Sequence, residues 1–169
     1  MSDTATEYST RTPRLRSVFV SAVVALAAVA LFVEPVARRE LSDGRTVDFG
    51  LLQLKLAYNS GVAFSMGDQQ PMWIVLTVTA VITAGIGVYA WRTAPSSSLA
   101  AMIGLSLMFA GAAANVIDRA VDGKVTDYFH TGWWPTFNLA DTYITRGVVL
   151  LLAALLREST QEPPNESSS

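Results

Sequence analysis

Four stretches of this 169-residue chain are apolar over about the length needed to cross a bilayer. They are SVFVSAVVALAAVALFV at 17–33, PMWIVLTVTAVITAGIGVYAW at 71–91, a run from Ser98 to Ile117, and a last one over 137–156 that Asp141 and Arg146 interrupt. In hydrocarbon every backbone N–H and C=O must be satisfied within the segment, so such runs fold as helices. One buried soluble helix could explain one run, but not four in so short a chain. With 51% hydrophobic and 15% charged residues, the rest of the composition agrees with a membrane protein. Trp73 and Trp91 bracket the second run. Eighteen helical steps separate them by about 27 Å, so both rings can lie at interfaces.

The first run could instead be a cleaved signal peptide, since Arg11, Arg14 and Arg16 precede it and Ala28-Val29-Ala30 resembles a cleavage site. The apolar residues continue past that point through Leu31, Phe32 and Val33, which favours a retained helix. The three arginines and Arg92 place both termini in the cytoplasm. Arg38, Arg39, Arg45 and Lys55 fall outside, accompanied there by Glu34, Glu40, Asp43 and Asp48. Residues 1–16 and 158–169 are polar and are expected to be disordered tails around one membrane domain at 17–157. The alternation in RTVDFGLLQLKLAY predicts short strands outside the membrane.

Several function classes are excluded. A net charge of -2 offers no electrostatic case for nucleic acid. With no cysteine there is no disulfide, thiolate nucleophile or thiolate metal site, and His130 alone makes neither a zinc site nor a Ser-His-Asp triad. No cofactor is implied.

The polar residues that need a reason gather at the outer helix ends. Glu34 and Arg38 follow the first span, and Asn59 ends the strand-like segment. Asn115, Asp118 and Arg119 close the third span, Asp127 lies in the following loop, and Asn138 and Asp141 open the fourth. Asn138 and Asp141 suit an N-cap and its N3 acid, which is a purely structural role. Asp118 sits where the helix dipole disfavours an anion, so a partnered, inward-facing position is expected. Asn115, three residues earlier, shares its face. A loop aspartate such as Asp127 is usually just solvated, but Tyr128 and Phe129 follow it, and one short excursion separates it from Asp141. Two crowded carboxylates share a proton, and such a pair can hydrolyse a peptide bond with water alone.

Three motifs resemble those of lipoprotein signal peptidases, the bacterial signal peptidase II family. NSGVAFS at 59–65 is similar to N-x-G-x-A-F-S. GAAANVIDRAVDGKVTDYF at 111–129 is similar to a G-N-x-x-D-R stretch followed by V-x-D-F. FNLADTYITRG at 137–147 is similar to F-N-x-A-D-S-x-I-x-x-G. The resemblance implies four transmembrane helices with a small extracytoplasmic β-cradle. It implies an aspartic dyad of Asp127 and Asp141, and substrate-binding or orienting roles for Glu34, Arg38, Asn59, Gly61, Asn115, Asp118, Arg119 and Asn138. Its implied substrate is a prolipoprotein whose cysteine carries diacylglycerol, cut just before that cysteine at the outer face of the bacterial plasma membrane by a monomer among membrane lipids. Glu34 and Arg38 stand where the family has Asp and Lys, Ala114 where it has Gly, and Arg146 where it has an apolar residue. The Asp127–Asp141 loop is short for the family. Ala114 predicts looser helix packing at its turn. Two other classes fit less well: a non-catalytic lipopeptide-binding homologue, and an ion-coupled carrier, whose acids would sit mid-span.

Overall fold

In the computed structural model, residues 3–59 and 71–161 are described, with side chains from residue 14 to 160. Gly61 and the rest of the 60–65 part of the first motif lie outside the described residues, as does the end of the C-terminal tail. The four apolar runs form α1 (Asp3–Glu40), α2 (Met72–Thr93), α3 (Leu99–Asp122) and α4 (Leu139–Gln161). Each contains a span long and apolar enough to cross a membrane. α1 runs back through most of the stretch expected to be a disordered tail. A helix already nucleated in the span extends at one hydrogen bond per added residue. Ala28–Ala30 lies within α1, and Ala30 is buried against Ala114 and Ala140 rather than exposed as a cleavage site.

α3 is the central helix. Half of its span is buried inside the protein, against 6–17% for the other three. Small residues permit this. A Cβ on Gly104 would stand 2.9 Å from the Leu151 nitrogen, and one on Gly111 only 2.3 Å from the Ala140 oxygen. The α3 and α4 backbones therefore touch, which is how membrane helices gain dispersion contacts that lipid cannot supply. Ala114, read as a looser position, is itself buried with Ala30 and Ala140, and the close approach is made one turn earlier by Gly111. At the other end of the bundle Phe19, Met102 and Leu105 form the main apolar cluster. There the Arg16 guanidinium lies 4.7 Å from the Trp91 ring centroid.

Three antiparallel strands cap the opposite end in the order β1 (Val47–Asp48), β2 (Gln53–Asn59) and β3 (Val125–His130). β2 and β3 pair with Ala57 opposite Asp127 and Asn59 opposite Val125, with an irregularity between Leu54 and Ala57. Asp127 thus belongs to a strand, where a loop is expected from sequence. The α3 helix stops at Gly123, whose φ of 75° lets its N–H close onto the Arg119 carbonyl and turns the chain straight into β3. Val125, Thr126, Asp127 and Tyr128 are all buried. After a six-residue turn, Phe137 comes back onto β3: its N–H donates to the Phe129 carbonyl at 3.0 Å, and its own carbonyl accepts from Tyr128 and Phe129. That return sets the start of α4 beside Asp127.

Candidate active site

The α4 N-terminus is a reciprocal cap. The Asp141 N–H donates to Asn138 Oδ1 at 2.9 Å, and the Asn138 N–H donates to Asp141 Oδ2 at 3.1 Å. Two helix donors are satisfied this way, so the capping role expected of this pair is real. The same side chains do more. Asn138 Nδ2 donates to Asp127 Oδ1 and to Asn115 Oδ1, both at 3.1 Å, while Asn115 Nδ2 donates to Asp141 Oδ1 at 2.8 Å. The two carboxyl groups are therefore joined into one network through two carboxamides. Asn59 Nδ2 approaches Asp127 Oδ2 at 3.3 Å from β2.

Asp127 is 1% exposed. Burial first, and then the charge of Asp141, raise its pKa from 3.8 to about 7, against the opposing pull of Asn59, the Arg119 cation and Asn138. Among the described residues Arg119 makes one long contact, to the Asn115 carbonyl at 3.5 Å, and its buried Nε has no hydrogen-bond partner. It stabilises the acids through space.

Glu34, Arg38 and Asp118 form a separate cluster behind these two acids. Arg38 Nε donates to Glu34 Oε1 at 2.8 Å, one helical turn back on α1. Its Nη2 donates to Thr126 Oγ1 at 2.7 Å and reaches Asp118 Oδ1 at 3.4 Å, and its Nη1 pairs with Asp122. Asp118 Oδ2 accepts the Thr126 N–H at 2.8 Å. The partnered, inward-facing position expected of Asp118 is what the chain adopts. The cluster ties α1 and α3 to the residue before Asp127.

Beside Asp141 opens a groove of about 450 Å³, lined by Thr131, Trp133, Trp134, Phe137, Thr142 and Arg146 among others. Its walls are largely aromatic and apolar, with the Asp141 carboxylate at one edge.

A sequence model described as signal peptidase (SPase) II matches residues 19–157. The chain belongs to the signal peptidase II family. This makes it a protease with several membrane helices. Among related proteins, the lipoprotein signal peptidase of Geobacillus kaustophilus is 38% identical over 75% of this chain and 84% of its own. That of Francisella tularensis subsp. novicida is 35% identical over 85% of this chain and 93% of its own. A bacterial membrane enzyme solved by the in meso method at 2.3 Å superposes with a TM-score of 0.68 and 25% identity, over 89% of this chain and 96% of that one. The four-helix fold with a small extra-membrane sheet is shared with it.

Of the residues singled out from this signal peptidase's sequence, Asn59, Asn115, Asp127, Asn138 and Asp141 meet in one network, with Arg119 acting on it through space. Glu34, Arg38 and Asp118 meet in the second. Three contributors escaped the sequence reading. Asp122, four residues after Asp118, could have been found by helical spacing. Thr126 gives no such signal. Tyr128, whose hydroxyl accepts the Leu139 N–H at 3.1 Å, reads from sequence as merely apolar.

Proposed function

We propose that this signal peptidase is an aspartic endopeptidase that cleaves diacylglyceryl-modified prolipoproteins just before the lipidated cysteine. The observation that carries the proposal is the linkage of Asp127 and Asp141 through Asn138 and Asn115 beside an apolar groove. In this mechanism the two acids hold one proton between them. Asp141 is the ionised member: it receives two donors and lies at the positive end of α4. Asp127, buried and titrating near neutrality, keeps the proton.

A water held between them attacks the scissile carbonyl carbon. Asp141 takes a proton from the water while Asp127 gives its proton to the carbonyl oxygen. The C=O bond becomes a C–O single bond and a tetrahedral diol forms. On collapse the C–N bond breaks, Asp141 returns its proton to the leaving nitrogen, and Asp127 recovers its own from the diol hydroxyl. Products are the free signal-peptide carboxyl and the amine of the lipidated cysteine. Asn138 and Asn115 hold the carboxyl planes throughout, and Arg119 limits the cost of the single buried negative charge.

Lipid anchoring of the substrate explains the depth of the site. Pulling acyl chains into water costs about 0.8 kcal/mol per CH₂, so the acids stand at the membrane surface instead. Arg16 lies over the Trp91 ring, next to Arg92 in sequence, at the end of the bundle away from the sheet, which supports cytoplasmic termini and a dyad at the outer face of the plasma membrane. A monomer suffices for this mechanism, because every residue it uses comes from one chain. The test is cleavage of a diacylglyceryl-modified precursor and its unlipidated control by the purified protein. Only the lipidated precursor should be cut, and Asp127→Asn and Asp141→Asn should each abolish that cut. Full activity in either variant would falsify the dyad.

A further inference from the structure

One residue in the groove is chemically out of place. Arg146 lies in the apolar span of α4, five residues beyond Asp141, and lines the same groove. Five helical steps carry it about 7.5 Å further along the axis, away from the sheet, and about 140° around it. It is exposed, and its guanidinium makes no hydrogen bond or ion pair with any of the described residues. A cation at that depth is costly without a partner. A second donor in the groove is likewise uncommitted: Thr131 Oγ1 is buried and has no partner among the described residues. The other two hydroxyls there are occupied, Thr142 with the Asn138 carbonyl at 3.1 Å and Thr145 with the Asp141 carbonyl at 2.9 Å. Trp133 and Trp134 supply the apolar walls.

A ligand matching this lining has acceptor oxygens on an apolar body, deeper than the scissile bond. Extended peptide is a poor match, because its N–H groups would go unpaired in that wall. The lipid on the substrate is a good one. From the cysteine Cα to the nearer ester carbonyl oxygen there are seven bonds, a reach of roughly 7–9 Å, enough to span the axial step from Asp141 to Arg146. We propose that Arg146, assisted by Thr131, is a specificity-determining residue that donates hydrogen bonds to the ester carbonyl oxygens of the substrate's diacylglyceryl group. The planar fork of arginine reaches both esters at once, which a lysine does not. Arg146 thereby senses the acyl-glycerol itself and not only the greasiness of the chains.

This inference rests on the proposed peptidase activity, and the experiment separates the two. The purified protein in dodecyl maltoside is given two precursors of equal chain length, one with a diacylglyceryl thioether and one with its dialkyl ether analogue, which has no ester carbonyls. The intact protein should cut both, with a KM about tenfold lower for the ester substrate, as expected for one or two hydrogen bonds. Arg146→Leu should raise KM for the ester substrate to that of the ether and leave kcat and the unfolding temperature unchanged. Arg146→Lys should restore part of the preference, and Thr131→Val should lose part of it. Equal losses on both substrates in Arg146→Leu would overturn the inference, as would a loss seen only when phosphatidylglycerol is added, which would identify a phospholipid phosphate as the partner. Failure of the intact protein to cut either precursor would remove the peptidase reading, and this inference with it.

Discussion

Two buried carboxylates sit nine residues apart in this protein and have opposite surroundings. Asp118, 9% exposed, accepts a backbone N–H and lies against the Arg38 guanidinium, which also holds Glu34 and Asp122. Asp127, 1% exposed, has a carboxylate that hydrogen-bonds only carboxamides among the described residues, and the charge that acts on it most strongly is another acid. A cation in contact compensates a buried acid and makes it a structural tie. Neutral donors orient an acid without compensating it, and its proton stays near neutrality, where it can be exchanged. Burial and the identity of the neighbour divide the two roles together: Asp127 is the more deeply buried of the two and faces a second acid.

The contrast can be broken most sharply with the isosteric amides. Asp127→Asn should lower kcat by about a thousandfold or more, as loss of a general acid requires, with no loss of unfolding temperature at pH 8. Asp118→Asn should do the reverse. It should keep measurable turnover and lose about 1–2 kcal/mol of stability, because a charged hydrogen bond becomes a neutral one. Thermal unfolding and single-turnover cleavage on both variants decide the matter. If Asp118→Asn is the inactive, stable one, the assignment is inverted.

Removing the compensating cation comes next. Arg38→Met leaves Glu34, Asp118 and Asp122 facing one another, and should cost about 3 kcal/mol, read as a lowered unfolding temperature in detergent. Arg38→Lys should recover part of it, since lysine keeps the charge but not the fork.

The pH profile sharpens the comparison further. Asp127 is raised from 3.8 to about 7 on folding, so between those values the folded chain holds a proton that the unfolded chain releases. Its contribution to stability is therefore fully present below 3.8 and is lost as pH rises through 7. Cleavage should fall above about pH 7 as that proton leaves. In Asp127→Asn the downward slope of stability with pH should flatten. The smallest effect is expected from Asn59→Ala, which deletes a hydrogen bond favouring ionised Asp127. The alkaline limb of the cleavage profile should move upward. A downward move would mean that Asn59 stabilises the protonated form instead.

How far the sequence can be read depends on the range of the interaction. The Asn138–Asp141 cap is legible because its partners lie three residues apart, and the Glu34–Arg38 pair, four residues apart, is as local. The join between Arg38 and Asp118 spans 80 residues, and nothing in either neighbourhood announces it. The sequence suggests a loop at Asp127 because the strand there is only six residues long and its pairing partner, β2, lies far back in the chain. Short strands draw their stability from neighbours rather than from their own composition. Arg119 was singled out from sequence, but only the structure shows that it acts on the acids through space.

By itself the amino-acid sequence determined four membrane helices, a polar set at one end of them and the local cap of the last, because hydrophobic length and helical spacing are properties of a single segment. The tertiary structure alone decided which acids share a network, which one lies against Arg38 and which one faces a second acid. Those outcomes depend on Gly104 and Gly111 letting α3 and α4 touch, and on Phe137 returning to β3. Electrostatic roles follow distance and burial, and both exist only once the segments have packed.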